Sequence, residues 1–297
     1  MPDVNPIETY QQFKKAFQAG KGDNVALNAQ TDAPLNALIA VYATSRKFLD
    51  DTHRTDLTSK VENKEYFSFS KGENQSRAIN SALFCEDEAL RDRFFHSLKT
   101  NEYGALTADE WTRACYTIAI TFCAAVDVKK QGDQKTPGTF FEYFIALLIA
   151  RRIKQNPRRR VDVMNLDADT TLQTDLIFDL GVKQAKYHVP VKISTRERII
   201  QVWAHQRVLD GVYGTGRFLG LMVGLTETKT DKTKGEVVEI CLPLQWRLYQ
   251  MFIAQMKRVY YLDVPEKYAS LGEEFPKIAV KPFGEFFSEI DSLPEQF

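Results

Sequence analysis

The sequence predicts an α/β protein: a mixed central β-sheet flanked by helices, preceded by a mostly helical N-terminal region. Three observations carry this. Apolar residues before about position 130 recur at three- and four-residue steps, the period of one helix face. From residue 160 onward the order is strand, strand, strand, helix, strand, strand, the plan of a sheet covered by helices. Between the two lies KKQGDQKTPG, residues 129–138, a polar stretch broken by glycine and proline. The expected organisation is a region 1–130 and a region 131–297.

In the first region, Tyr10, Phe13 and Phe17 line one face of a helix over 7–18, and Leu38, Ile39, Tyr42 and Phe48 mark a second. YFSFS (66–70) alternates like a short strand, and 76–98 reads as a helix. Thr107 and Glu110 form a capping-box pattern opening a helix through Trp111, Tyr116 and Phe122. In the second region Thr139 and Glu142 repeat that pattern before a strongly apolar helix ending near Ile153, with Pro157 as its stop. Strands are expected at 160–164, 174–180 and 187–195, the last two as a hairpin. A helix over 196–209 follows, then an apolar strand (217–226), a charged turn, a returning strand (237–242), a helix (244–256), a strand (259–262) and a terminal helix from about Phe283 to Ile290.

The chain has 297 residues with 39 basic and 39 acidic side chains. A net charge of zero excludes wholesale attraction to nucleic acid, so any such partner must be held by a local basic patch. The four cysteines (85, 115, 123, 241) form no CxxC pair and have no histidine at metal-site spacing, which predicts reduced thiols in a cytoplasmic protein. No secretory pattern opens the chain, and no apolar run approaches the ~18 residues of a membrane span. Phe140–Ile153 is interrupted by Glu142, Arg151 and Arg152.

The chemistry-bearing stretch is Leu172–Leu209. It reads LQTDLIFDL, then YHVPVKIST, then RERIIQVWAHQRVL. Period 2 places Asp175, Ile177 and Asp179 on one face of the first strand, and Pro190, Lys192 and Ser194 on one face of the second. A lysine inside an apolar strand is costly unless paired. Two readings stay open: a buried Asp–Lys ion pair that only stabilises, or the core of a phosphodiesterase site. The second needs a fixed carboxylate, another oxygen ligand and a lysine around a divalent cation, and Mg²⁺ suits oxygen donors and few protein ligands.

The pattern Thr174-Asp175, apolar strand, apolar strand with Lys192, and then Ser194-Thr195-Arg196-Glu197-Arg198 leading a helix resembles type II restriction endonucleases of the PD-(D/E)XK nuclease superfamily. A glutamate on a preceding apolar helix, as Glu142 is, is similar as well. The likeness covers about residues 138–226 and implies a restriction-endonuclease-like core. It implies Asp175 and the Val191 carbonyl as Mg²⁺ ligands and Lys192 as the group that orients the attacking water. The acid expected two positions before the lysine is Pro190 here, so the second carboxylate is open among Glu142, Glu197 and, behind them, Asp179.

DNA contacts are expected at Ser194, Thr195, Arg196 and Arg198, where a helix start and two guanidiniums make an anion site. Gln201, His205 and Gln206 on the same helix carry groups able to read base edges. Six of the ten residues 151–160 are Lys or Arg. They either track phosphate or form a solvated helix end balanced by the acids of 166–169. The expected function is that of a type II restriction endonuclease: Mg²⁺-dependent, sequence-specific hydrolysis of double-stranded DNA by a homodimer, with a companion DNA methyltransferase and no membrane partner. The N-terminal region would supply dimer contacts, DNA contacts or both. A repair or junction-resolving nuclease of the same fold and a non-catalytic DNA-binding protein with a degenerate core are the alternatives.

Overall fold

The computed structural model describes residues 5–18, 27–163, 170–181, 184–231 and 233–295. Helices α1 (Pro6–Ala16) and α2 (Asp32–Asp50) open it. Strands β1 (His53–Ser59), β2 (Tyr66–Lys71), β3 (Asn74–Gln75) and β4 (Ile79–Asn80) follow. Next come α3 (Glu88–Thr100), α4 (Ala108–Lys129) and α5 (Lys135–Ile153). The second half holds β5 (Arg158–Val163), β6 (Thr170–Phe178), β7 (Lys186–Val189), β8 (Val191–Lys192), α6 (Ile200–Tyr213), β9 (Phe218–Gly224), β10 (Thr228–Asp231), β11 (Glu236–Glu239), α7 (Pro243–Phe252), β12 (Met256–Tyr261) and β13 (Val280–Pro282).

The main sheet runs β13-β12-β9-β7-β6-β5, with β8 beside β9. It is mixed: β13, β12, β9 and β7 are parallel, whereas β6 pairs antiparallel with both β7 and β5. This is the expected sheet, hairpin included. A second sheet, β10-β11-β1-β2-β3, has no counterpart in the expectations. The charged segment after β9 does not turn back onto β9. Its strands β10 and β11 pair with each other, and β11 continues parallel to β1 from the N-terminal half.

Helix α4 opens with the predicted capping box: Glu110 N donates to Thr107 Oγ1 (3.2 Å), and Thr107 N to the Glu110 carboxylate (2.9 Å). The second capping box does not form. Helix α5 starts five residues earlier, where the Asp133 carboxylate accepts from Thr136 N (3.0 Å) and Thr136 Oγ1 (2.9 Å). Pro137 is tolerated in this first turn, where its missing N–H has no helical partner to lose. The consequence is functional: Glu142 is released from capping and sits two turns inside a nearly all-buried helix. The helix ends at Ile153 as expected, capped by Lys154 in the left-handed conformation (φ 57°) before Pro157 is reached.

The predicted helix 76–98 is also corrected. Ile79 and Asn80 pair with β2, and the helix begins only after Asp87, whose carboxylate caps Ala89 N (2.8 Å). Strand pairing and a local cap outweigh alanine- and leucine-rich composition here. One large apolar cluster runs from Tyr10 through α4 and α5 to the inner face of the main sheet and on to Leu293. A smaller one sits under α6 and α7, around Trp203, Trp246 and Tyr261.

Candidate active site

The centre is built by two irregularities in neighbouring strands. In β6, Ile177 pairs with Arg158 while Gln173 pairs with Arg160, so residues 174–176 all stand opposite Arg159. Such a bulge re-aims side chains. Ile177 joins Leu209 and Phe218 in an apolar cluster beneath α6, and Leu176 faces the main core. The strict alternation expected for Asp175, Ile177 and Asp179 is therefore broken. Asp179 lies beyond the strand, bonded to Lys186 Nζ (2.6 Å) and Gly181 N (3.1 Å), away from the centre.

The second irregularity is Pro190. It splits one strand line into β7 and β8, both parallel to β9, and its carbonyl still accepts from Val223 N (2.9 Å). Directly after it, Val191 N turns to Asp175 Oδ2 (2.8 Å), and Lys192 Nζ reaches the same oxygen (2.8 Å). Both side chains remain partly exposed, 28% for Lys192 and 20% for Asp175.

Glu142 faces this pair from α5. Arg159, from the strand opposite the bulge, donates to Glu142 Oε2 (3.1 Å) and lies over the Tyr143 ring. Burial, and then the negative charge of Asp175, push the Glu142 carboxyl up to about 7 against the opposing pull of Arg159 and Lys192. Two carboxylates thus stand near each other, one of them raised chiefly by burial, and paired oxygen donors of this kind suit a divalent cation. Among the described residues no cluster of three or more His, Cys, Asp or Glu side chains converges on a point. An ion held here would draw its remaining ligands from main-chain oxygen and water. The Glu197 side chain lies outside the described residues, as do the acids of 166–169.

After Lys192 the chain enters a 3₁₀ turn, Arg196–Ile199, that leads into α6. This junction is anchored by Glu227, which the sequence reading missed. The Glu227 carboxylate is fully buried and accepts from Thr195 N (2.8 and 3.1 Å), Thr195 Oγ1 (2.6 Å) and Tyr261 OH (2.7 Å). Gly224 makes the last of these possible: the Tyr261 ring lies where a Cβ on residue 224 would stand. The anchored Thr195 is followed by Arg196 at φ +38°, a conformation that non-glycine residues avoid. Ser194 and Arg196 line a polar cleft of about 360 Å³ shared with Lys229, Thr226, Gln131 and Arg77.

The remaining expected contact residues divide. Arg198 and Gln201 are exposed, and His205 is half-buried and close enough to Asp175 and Lys192 to feel both charges. Thr195 and Gln206 are buried at 1% exposure, which corrects their expected place on a DNA-facing surface. The Gln206 amide is fully engaged inside the fold, with His188 Nδ1 (3.0 Å), Asp210 Oδ1 (2.9 Å) and Phe218 O (2.9 Å). His188, bonded also to Thr174 Oγ1 (3.0 Å), is held well below its usual pKa, at about 4, chiefly by burial. Much of the 151–160 cluster is structural too: Arg151 binds Leu98 O, Thr31 O and Asp32, Arg152 binds Phe287 O and Asp291, and Arg159 binds Glu142.

No protein-family model and no curated protein matches this chain. Among solved structures it is similar to the type IIP restriction endonuclease Kpn2I, with a TM-score of 0.78 and 25% identity over 98% of both chains. A second overlap, with restriction endonuclease PspGI in a substrate DNA complex, has a TM-score of 0.41 and 13% identity over 70% of this chain and 93% of that one. The likeness to Kpn2I covers 98% of this chain, well beyond the segment 138–226 that carried the resemblance in the sequence.

Proposed function

From a chain with the restriction-endonuclease fold, we propose a Mg²⁺-dependent type II restriction endonuclease that hydrolyses double-stranded DNA at a specific sequence as a homodimer. The observation that carries this is the convergence of Lys192 Nζ and Val191 N on one oxygen of Asp175, across a strand bulge, with Glu142 facing the pair. A stabilising ion pair alone needs neither the bulge nor a second carboxylate beside it.

In this reading Asp175, Glu142 and the Val191 carbonyl hold the cation, which supplies neutralisation of the scissile phosphate and activation of water. Lys192 positions the water by hydrogen bond and stabilises negative charge developing on the phosphate. Arg198 and Gln201, exposed at the start of the helix after the catalytic strand, contact the duplex. Ser194 and Arg196 do so from the cleft. Pro190 replaces an acid without emptying the site, because Glu142 brings a carboxylate from α5. A companion methyltransferase protecting host DNA, and a cytoplasmic location with that DNA, belong to the same reading. Among the described residues no helix is long and apolar enough to cross a membrane.

The test is incubation of the purified protein with plasmid and phage DNA, with Mg²⁺ and with EDTA. Discrete fragments formed only with Mg²⁺ are expected. Cleavage dictated by branched DNA structure rather than sequence would replace this reading with a junction-type nuclease. Binding without cleavage in Mg²⁺ or Mn²⁺, on methylated and unmethylated DNA, would replace it with a non-catalytic DNA-binding protein.

A further inference from the structure

Helix α7 presents an apolar face to solvent that none of the described residues covers. Leu244 is 76% exposed, Leu248 54%, Met251 45% and Phe252 74%. The opposite face is anchored: Trp246 is buried against Trp203 and Tyr268, and Gln250 bonds Trp203 Nε1 and Met256. The segment after residue 273 is tied alongside, through Arg247 to the carbonyls of Glu274 and Phe275 and through Gln250 to that of Lys277. This sets Phe275, 82% exposed, beside the helix. Five of the ten exposed large hydrophobic residues among those described thus gather on one helix and its neighbouring loop. Elsewhere they are scattered, as surface hydrophobics ordinarily are.

We propose that this face is where a second copy of the chain docks. Three features choose that occupant. The exposed positions of the helix, 244, 245, 248, 251 and 252, carry Leu, Gln, Leu, Met and Phe. They hold no cation for a phosphate backbone and no charge to select an oppositely charged partner. This is the charge-depleted composition, enriched in Met and aromatic residues, of an interface core, and Glu273, Glu274 and Lys277 stand at its rim. The row 244, 248, 252 is symmetric about Leu248. Two such helices related by a two-fold axis set Leu248 near its counterpart and Leu244 of one copy against Phe252 of the other, the self-complementary contact that an isologous dimer requires. The five side chains expose on the order of 600 Å² together, approaching the roughly 800 Å² per partner of a standard stable interface. The proposal rests on the endonuclease reading for the expectation of a pair, and it moves the pairing surface from the N-terminal region to the C-terminal half.

The test is the oligomeric state, by sedimentation or light scattering, of the wild type and of Leu248→Glu, Phe252→Glu and Ile39→Glu. The last alters an exposed residue of α2, away from this face. At micromolar concentration the wild type and Ile39→Glu are expected to be dimers. Each α7 variant should dissociate roughly a hundredfold or more readily, with unchanged circular dichroism. Leu248→Cys should form a disulfide-linked dimer under mild oxidation that the wild type, with its own four cysteines, does not. A monomeric wild type, α7 variants that remain dimers, or a face protected only when DNA or another protein is added would each overturn the proposal. No DNA or Mg²⁺ is present, so the outcome is independent of whether the protein cuts.

Discussion

Lys64 and Lys192 each contact a buried or half-buried carboxylate, and they are built for different work. Lys64 lies between the halves of the chain and uses all three of its donors: Glu239 (2.7 Å), Asp263 (2.8 Å) and the carbonyl of Val264 (2.7 Å). Asp263 is 2% exposed and is held further by Asn80. Burial alone would lower the Lys64 pKa, but Asp263 and Glu239 overcome it and raise it, the mark of a closed, satisfied tie. Lys192, among the described residues, bonds only Asp175, stays open to solvent and faces a second carboxylate, Glu142. A saturated lysine fastens one element to another. One that keeps donors free beside two acids is poised to meet a cation, a water or a phosphate.

That contrast predicts opposite mutational profiles. Asp175→Ala and Lys192→Ala are each expected to reduce DNA cleavage by roughly a thousandfold or more. They should change stability by no more than about 1 kcal/mol, because the pair is partly exposed. DNA binding without Mg²⁺, read by gel shift, should persist. Wild-type cleavage by either variant would end the site assignment. Lys64→Ala should do the reverse. Leaving Asp263 and Glu239 without their cation should cost about 3–5 kcal/mol in urea or thermal unfolding, while the fraction still folded cuts at the wild-type rate.

The two centres were unequally legible in the sequence. Asp175 and Lys192 stood out because ionised residues inside apolar strands break a period that is otherwise kept, and the hairpin joining them follows from that period. Lys64 sits in a turn rich in charge, where nothing local separates a buried tie from a solvated side chain. Glu227 was hidden the same way. It heads the run ETKTDKTKG, which reads as solvent-facing until β10 and β11 are seen to cross into a second sheet, a long-range pairing that no local pattern encodes. Gln206 and Thr195 failed in the other direction. Their side chains look suited to DNA, yet the need to satisfy His188 and Glu227 in the interior takes them. The α5 start was misread because two capping signals overlap, and Asp133 prevails over Thr139.

His188 tests whether the fold around the site belongs with the saturated class. Its folded pKa, about 4, lies below the unfolded value of 6.5. Above pH 6.5 both states are neutral and the group contributes no pH dependence. As pH falls from 6.5 towards 4 the unfolded chain takes up a proton that the folded chain refuses. Stability is therefore lost across that window, by about 3 kcal/mol at its lower end. Urea midpoints measured through it should fall in the wild type and fall less steeply in His188→Gln. Parallel slopes would show that His188 is protonated in the folded state and that its bonds to Thr174 and Gln206 do not hold it neutral.

Glu227 falls between the two lysines, since it is saturated like Lys64 yet holds the residues that follow Lys192. A carboxylate offers two oxygens to Thr195 N, Thr195 Oγ1 and Tyr261 OH, and Gln offers one with an amino group in place of the other. In Glu227→Gln the Thr195–Arg196 turn therefore loses part of its anchor while the side-chain volume is kept. If the anchor serves only stability, the variant should unfold more easily and cut the same DNA with unchanged selectivity. If it sets Arg196 in its unfavourable φ so that the guanidinium meets DNA from the cleft, selectivity should fall. The ratio of kcat/KM on the preferred site to that on sites differing by one base pair should then drop about tenfold, the size of one weakened base-edge contact. Lys192-dependent cleavage of the preferred site should change less. An unchanged ratio, with a lowered Tm, would class Glu227 with Lys64 as a tie and leave the placing of Arg196 to the cleft alone.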